Sequence, residues 1–137
     1  MSEFKLRIVT PEGEYFSGMV EICNVRTKNG QMGILAHRLP LAATLEISEM
    51  NIVSKGERTH YAIAGGFIYV GNDQTTIITD AIESQMAIDL ERASAAKKRA
   101  QDRLSQQRND QIDMQRAQIA LKKAVTRIAV KNMESKG

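Results

Sequence analysis

Glycine, proline and the aromatic residues all but vanish from the chain after Ala87. All six aromatics (Phe4, Tyr15, Phe16, Tyr61, Phe67, Tyr69), both prolines and every glycine but Gly137 lie in the first 87 of its 137 residues. Turn-formers and β-formers are confined to that segment, whereas the remainder is rich in Ala, Gln, Lys and Arg, which favour helix. Charge divides at the same place: 7 Lys/Arg against 10 Asp/Glu before it, net −3, and 12 against 6 after it, net +6. The expectation is an α+β chain in two domains, a β domain over 1–87 and a helical one over 88–137.

The first segment has a period of two. Phe4, Leu6 and Ile8 alternate with Lys5, Arg7 and Val9, and Leu41, Ala43, Leu45 and Ile47 alternate further on, as half-buried strands do. Turn chemistry falls at Pro11-Glu12-Gly13, Lys28-Asn29-Gly30, Ser54-Lys55-Gly56 and Gly71-Asn72-Asp73. Many short strands at close spacing predict an antiparallel sandwich or flattened barrel. In Ala64-Gly65-Gly66-Phe67-Ile68-Tyr69-Val70, paired glycines beside a β-forming run predict a bulge or a close backbone approach.

In the second segment Leu90, Ala93, Ala96, Ala100 and Leu104 recur at spacings of three and four, as do Ala117, Leu121, Ala124 and Ile128. The polar stretch Gln106-Gln107-Arg108-Asn109-Asp110 separates them, with Asp110 as a cap and Asp113 three residues on in a weak capping box. The prediction is an antiparallel two-helix hairpin. Its seam is mostly alanine, and at about 0.8 kcal/mol per buried methylene such a seam holds weakly. Two helices alone close no core, so the hairpin must dock on the β domain or on another protein. The seam permits static packing in one place, or an arm that exchanges between folded and extended arrangements.

Composition removes several classes of function. With 42% hydrophobic and 26% charged residues the chain suits one compact domain or two very small ones. One cysteine, Cys23, and two histidines, His37 and His60, make neither a disulfide scaffold nor a Cys/His zinc set. No apolar run reaches the roughly 20 residues of a membrane span, and Met1-Ser2-Glu3-Phe4-Lys5 does not read as a signal peptide, so a cytosolic location is expected. No segment offers a Walker-type phosphate loop. Neither histidine sits in a nucleophile motif, and Cys23 in Val20-Glu21-Ile22-Cys23 reads as a small buried thiol, so no catalysis is expected. Lys97, Lys98, Arg99, Arg103, Lys122, Lys123 and Arg127 are either a solvated face or a surface for an acidic partner. That segment lacks aromatics for base stacking, which disfavours nucleic acid.

Several segments taken together resemble the epsilon subunit of bacterial F-type ATP synthases, over essentially the whole chain. They are Ile8-Val9-Thr10-Pro11-Glu12-Gly13, Asn29-Gly30-Gln31-Met32-Gly33-Ile34-Leu35, Pro40-Leu41, Ala64-Gly65-Gly66-Phe67 and Ile88-Asp89-Leu90-Glu91-Arg92-Ala93. The resemblance implies a non-catalytic rotor subunit of the central stalk, on the cytoplasmic face of the cell membrane and attached to it only through the complex. Its implied partners are the gamma subunit, the c-ring and the alpha/beta catalytic hexamer, with no nucleic acid. The β domain would bind gamma and the c-ring, with Gln31 and Arg38 on the c-ring side. The hairpin would inhibit ATP hydrolysis when extended, with Lys122, Lys123 and Arg127 contacting an acidic loop of the catalytic subunit.

Some bacterial members bind ATP through a motif of Ile or Leu, Asp, two variable residues, Arg and Ala, matched here by Ile88, Asp89, Arg92 and Ala93. The implied site adds Glu83, Arg99, Lys123 and Arg127, with carboxylates for the adenine amine or loop and cations for phosphate oxygens. No cofactor is required; ATP would be regulatory. Lys123 stands where ATP-binding relatives tend to carry arginine, a point charge in place of a bidentate fork. Without a ligand, Asp89 would cap the first helix and Arg92 lie on its surface. The competing reading is a binding module whose basic hairpin grips an acidic protein, nucleic acid or an anionic membrane, with steep salt dependence as its mark.

Overall fold

The computed structural model describes residues 2–106 and 111–134, which carry eight strands and two helices. In chain order these are β1 (Phe4–Thr10), β2 (Gly13–Val20), β3 (Ile22–Thr27), β4 (Gly30–Ile34), β5 (Leu41–Ser54), β6 (Glu57–Val70), β7 (Gln74–Ile78), β8 (Ile82–Ser84), α1 (Leu90–Ser105) and α2 (Gln111–Lys131). The strands hydrogen-bond in the order β2-β1-β7-β6-β5-β3-β4, with β8 on β6. The four expected turns join β1 to β2, β3 to β4, β5 to β6 and β6 to β7, each an antiparallel pair. One pairing runs the other way: β1 and β7 are parallel, from Lys5 opposite Gln74 to Val9 opposite Ile78. No tight turn links these two strands, so nothing local dictates their direction.

A single sheet encloses a core because its two longest strands change sides. On β6 the inward side chains are Tyr61 and Ile63 before the glycine pair, and Ile68 and Val70 after it, so the buried phase shifts from odd to even. Gly65 and Gly66 make that shift at φ +82° and +130°. A Cβ on Gly66 would stand 1.9 Å from the Ile78 carbonyl oxygen, so the backbone approach requires glycine. Opposite them on β5, Leu45 ends one phase, and Met50 and Ile52 continue the other. The alternation expected through Ile47 therefore stops at Leu45, and Ile47 is left half-buried. The sheet closes over Leu6, Ile8, Val20, Cys23, Ile34, Met50, Ile68 and Ile77, all with no solvent exposure, which makes the sandwich. Cys23 is the buried thiol expected, pushed up to about 12 by burial.

The helices form the alanine-seamed hairpin: Ala93 and Ala100 of α1 and Ala117 and Ala124 of α2 are buried. Leu90 departs from the expected face and is 41% exposed, because it stands at the very start of α1. Asp110, expected as the cap of α2, lies outside the described residues; Asp113 sits in that helix's first turn. α2 packs on β5 and β6, and a second, small apolar cluster of Ala62, Ile88 and Val130 joins strand, linker and helix. Among the described residues no helix is long and apolar enough to cross a membrane.

Candidate functional site

The linker between β8 and α1 builds the site. Ala87 and Ile88 donate backbone hydrogen bonds to the Ser84 carbonyl, which turns the chain back over the sheet. Asp89 then takes an extended conformation, and its carboxylate accepts from the Arg92 amide at 3.1 Å, an N-cap that satisfies one orphan donor of α1. The Ala93 amide donates to the Asp89 carbonyl at 3.0 Å, the first full turn of the helix. The motif thereby divides by burial. Ile88 and Ala93, 2% and 1% exposed, pack inward, while Asp89 and Arg92 stand on the surface.

These outward groups meet others across the hairpin. Glu83, Ala87, Asp89, Arg92, Ala93, Ala96, Arg99 and Arg127 line one open cleft of about 430 Å³ between β8, α1 and α2. That volume lies in the range of small-molecule sites. Three guanidinium groups face two carboxylates, and Arg127 Nε meets Glu83 Oε1 at 3.1 Å. Tyr15 of β2 is near Glu83 and Ser84: burial raises its phenol, the Ser84 hydrogen bond lowers it and the Glu83 charge raises it again.

Of the expected nucleotide set, the fold gathers Glu83, Asp89, Arg92, Ala93, Arg99 and Arg127. Ile88 does not line the cleft and is buried in the apolar cluster with Ala62 and Val130. Lys123 does not line that cleft; it lines a smaller cavity of about 50 Å³ with Ala62, Ala64, Ala81 and Ile82, which shares Glu83 and Arg127 with the cleft. Lys122 is exposed.

Gln31 and Arg38 line different clefts. Gln31 shares one with Asn24, Glu49, Asn51 and Arg58, whereas Arg38 lies near the β6–β7 turn and donates to the Gly33 carbonyl at 3.1 Å. The Gln31 cleft contains a polar network that sequence reasoning missed. Asn51 accepts from Asn24 at 2.8 Å and from Arg58 at 2.7 Å, and donates to Glu49 at 2.9 Å, which also meets His60 Nδ1 at 2.8 Å. Period-two spacing on three strands could have placed these residues on one face, but the pairing that aligns them is not written in any one strand.

A β-sandwich with a helical hairpin folded down on it, and a charged cleft at their junction, is the class of protein this fold and site define. Family models describe both parts: the beta-sandwich domain of the ATP synthase Delta/Epsilon chain matches residues 3–85, and its long alpha-helix domain matches residues 87–132. The chain belongs to the ATP synthase delta/epsilon chain family. The ATP synthase epsilon chain of Bacillus velezensis is 42% identical over 130 residues, 95% of this chain and 98% of the relative. That of Bacillus cytotoxicus is 39% identical over 134 residues, 98% of this chain and all (100%) of the relative. Among solved structures, a chain of the Euglena gracilis mitochondrial ATP synthase (OSCP/F1/c-ring) superposes with a TM-score of 0.82 at 23% identity, covering 94% of this chain and 81% of that one. A chain of the Tetrahymena thermophila central stalk and c-ring superposes at 0.63 with 13% identity, covering 96% and 98%. These two support the fold.

Proposed function

We propose that the chain is the epsilon subunit in the central stalk of a bacterial F-type ATP synthase, a non-catalytic rotor component. Its family membership and near full-length similarity to epsilon chains support that reading. In it, the sandwich binds gamma and the c-ring, with Gln31 and Arg38 toward the ring, and joins proton or sodium flow to ATP synthesis. The subunit is peripheral, on the cytoplasmic face of the membrane, held there by the complex.

The hairpin regulates hydrolysis and senses ATP. The observation that carries this is the convergence of Glu83, Asp89, Arg92, Arg99 and Arg127 on one cleft shared by both helices and β8. Guanidinium forks suit phosphate oxygens, and a carboxylate accepts from an adenine amine. A ligand spanning both helices favours the docked hairpin by its differential affinity. Arg127 is engaged by Glu83 in the docked arrangement. Arg127 and the half-buried Lys123 therefore reach an acidic surface of the catalytic subunit only after undocking, whereas Lys122 is exposed throughout.

Calorimetric titration of the whole chain with ATP and ADP tests the sensor. ATP should bind, and Arg92→Ala should weaken it by about tenfold or more, the weight of a charge-assisted hydrogen bond. Absence of ATP binding in the unmodified chain would remove the sensor reading and leave Asp89 as a cap and Arg92 as a surface residue.

A further inference from the structure

The apolar part of the docking surface is slight. Among the described residues the second cluster, between hairpin and sandwich, holds Ala62, Ile88 and Val130, and Ile88 belongs to the linker. Polar contacts are more numerous at that place. The Gln85 side-chain amide donates both its hydrogens at the C-terminal end of α2, to the Val130 carbonyl at 2.9 Å and to the Met133 carbonyl, just past the helix, at 2.5 Å. Lys131 reaches back the other way, its Nζ donating to the carbonyls of Gln85 at 3.1 Å and Met86 at 3.5 Å. Gln85 is itself tied to the sheet, its amide donating to the His60 carbonyl at 2.9 Å.

The exchange is reciprocal: linker side chain to helix carbonyls, helix side chain to linker carbonyls. The last carbonyls of a helix lack the i+4 amide partner; here the Val130 carbonyl accepts from the Met133 amide at 3.1 Å and, with its second lone pair, from Gln85 as well. Bonds of this kind exist only while α2 lies on the linker. None of these groups lines the charged cleft, whose walls are Glu83, Ala87, Asp89 and residues of α1 together with Arg127.

We propose that Gln85 and Lys131 form a latch that holds the hairpin docked without any nucleotide, acting beside the cleft rather than through it. The proposal rests on the reading that the hairpin undocks. The two holds then multiply: the latch sets the docked fraction of the free protein, and a ligand in the cleft raises it further by its own factor. Sensitivity to nucleotide is tuned by latch strength, without change to any ligand contact.

Hydrogen exchange on the full chain tests this, reading α2 amides against those of β5 and β6 in the same sample. Without nucleotide, Gln85→Leu should lower α2 protection about tenfold, as expected for two net hydrogen bonds of ordinary strength, with β5 and β6 unchanged. Gln85→Glu, which aims a carboxylate at two carbonyls, should lower it further, and Lys131→Met should lower it where Lys131→Arg retains it. Unchanged α2 protection in Gln85→Leu would overturn the latch, and so would an equal loss in β5 and β6, which would make Gln85 a residue of the fold. Saturating ATP should multiply α2 protection by the same factor in both proteins; a factor lost only in Gln85→Leu would overturn the independence of the two holds. If ATP protects neither protein while Gln85→Leu still loosens α2, the sensor reading fails and the latch stands.

Discussion

Cys23 shows what burial does to a single group. Its thiol has no solvent exposure and is pushed from 9.0 to about 12 because the thiolate would lose its hydration. Tyr61 is raised above 10.0, first by burial and then by the neighbouring Tyr15 and Cys23, and stacks edge-on to Tyr15 at 6.3 Å between centroids. The folded chain therefore holds protons that the unfolded chain releases. Stability is complete below pH 9 for the thiol and declines between 9 and about 12. The slope is about 1.4 kcal/mol per pH unit for one withheld proton. Urea midpoints measured across that window should fall with rising pH, and Cys23→Ala should flatten part of the fall. The same burial should keep Cys23 unreactive toward thiol reagents until the sandwich unfolds.

At the scale of elements, the glycine pair of β6 carries the architecture. Gly66→Ala would drive a methyl into the Ile78 carbonyl at a backbone conformation that L-residues avoid. We expect a loss of roughly 3 kcal/mol or more, the range of the larger single-site effects. A thermal melt checks this; Gly56→Ala is the comparison, since a Cβ there meets nothing and only its φ of +79° is strained. The glycines were legible as a place where backbones meet. Which backbone they meet was not, because β7 approaches from a later stretch whose partner no periodicity names. The alternation of Phe4, Leu6 and Ile8 and the four turns were equally readable, being local. The parallel β1–β7 pairing is the product of closure. In the site, Glu83, Asp89, Arg92, Arg99 and Arg127 were named from the family resemblance and do converge. Lys123, on the same face of α2 as Arg127, lines only the smaller cavity that Glu83 and Arg127 share with the cleft, and Gln85 carried no signal, being a lone amide in a turn whose value appears only when α2 lies over it.

On the scale of the whole molecule the two cores are unequal and nearly separate. Every residue of the main core, from Leu6 to Ile77, precedes Ala87, and the second cluster borrows only Ala62 from the sandwich strands. A chain ending at Ala87 loses Ile88 and Val130 from over Ala62 but nothing from the main core. It also keeps β8, whose pairing with Tyr61, Ala62 and Ile63 closes that edge. The converse piece, two helices seamed by alanine, has no third layer to bury its faces and should not fold alone. Truncation after Ala87 should therefore give a sandwich that unfolds in one cooperative urea transition, with a smaller slope in proportion to the surface it no longer buries. Reconstituted with the other subunits, it should assemble into the stalk while ATP hydrolysis loses its control. Failure to assemble would mean that the hairpin contributes to the stalk interface, and would contradict the division of labour between sandwich and arm.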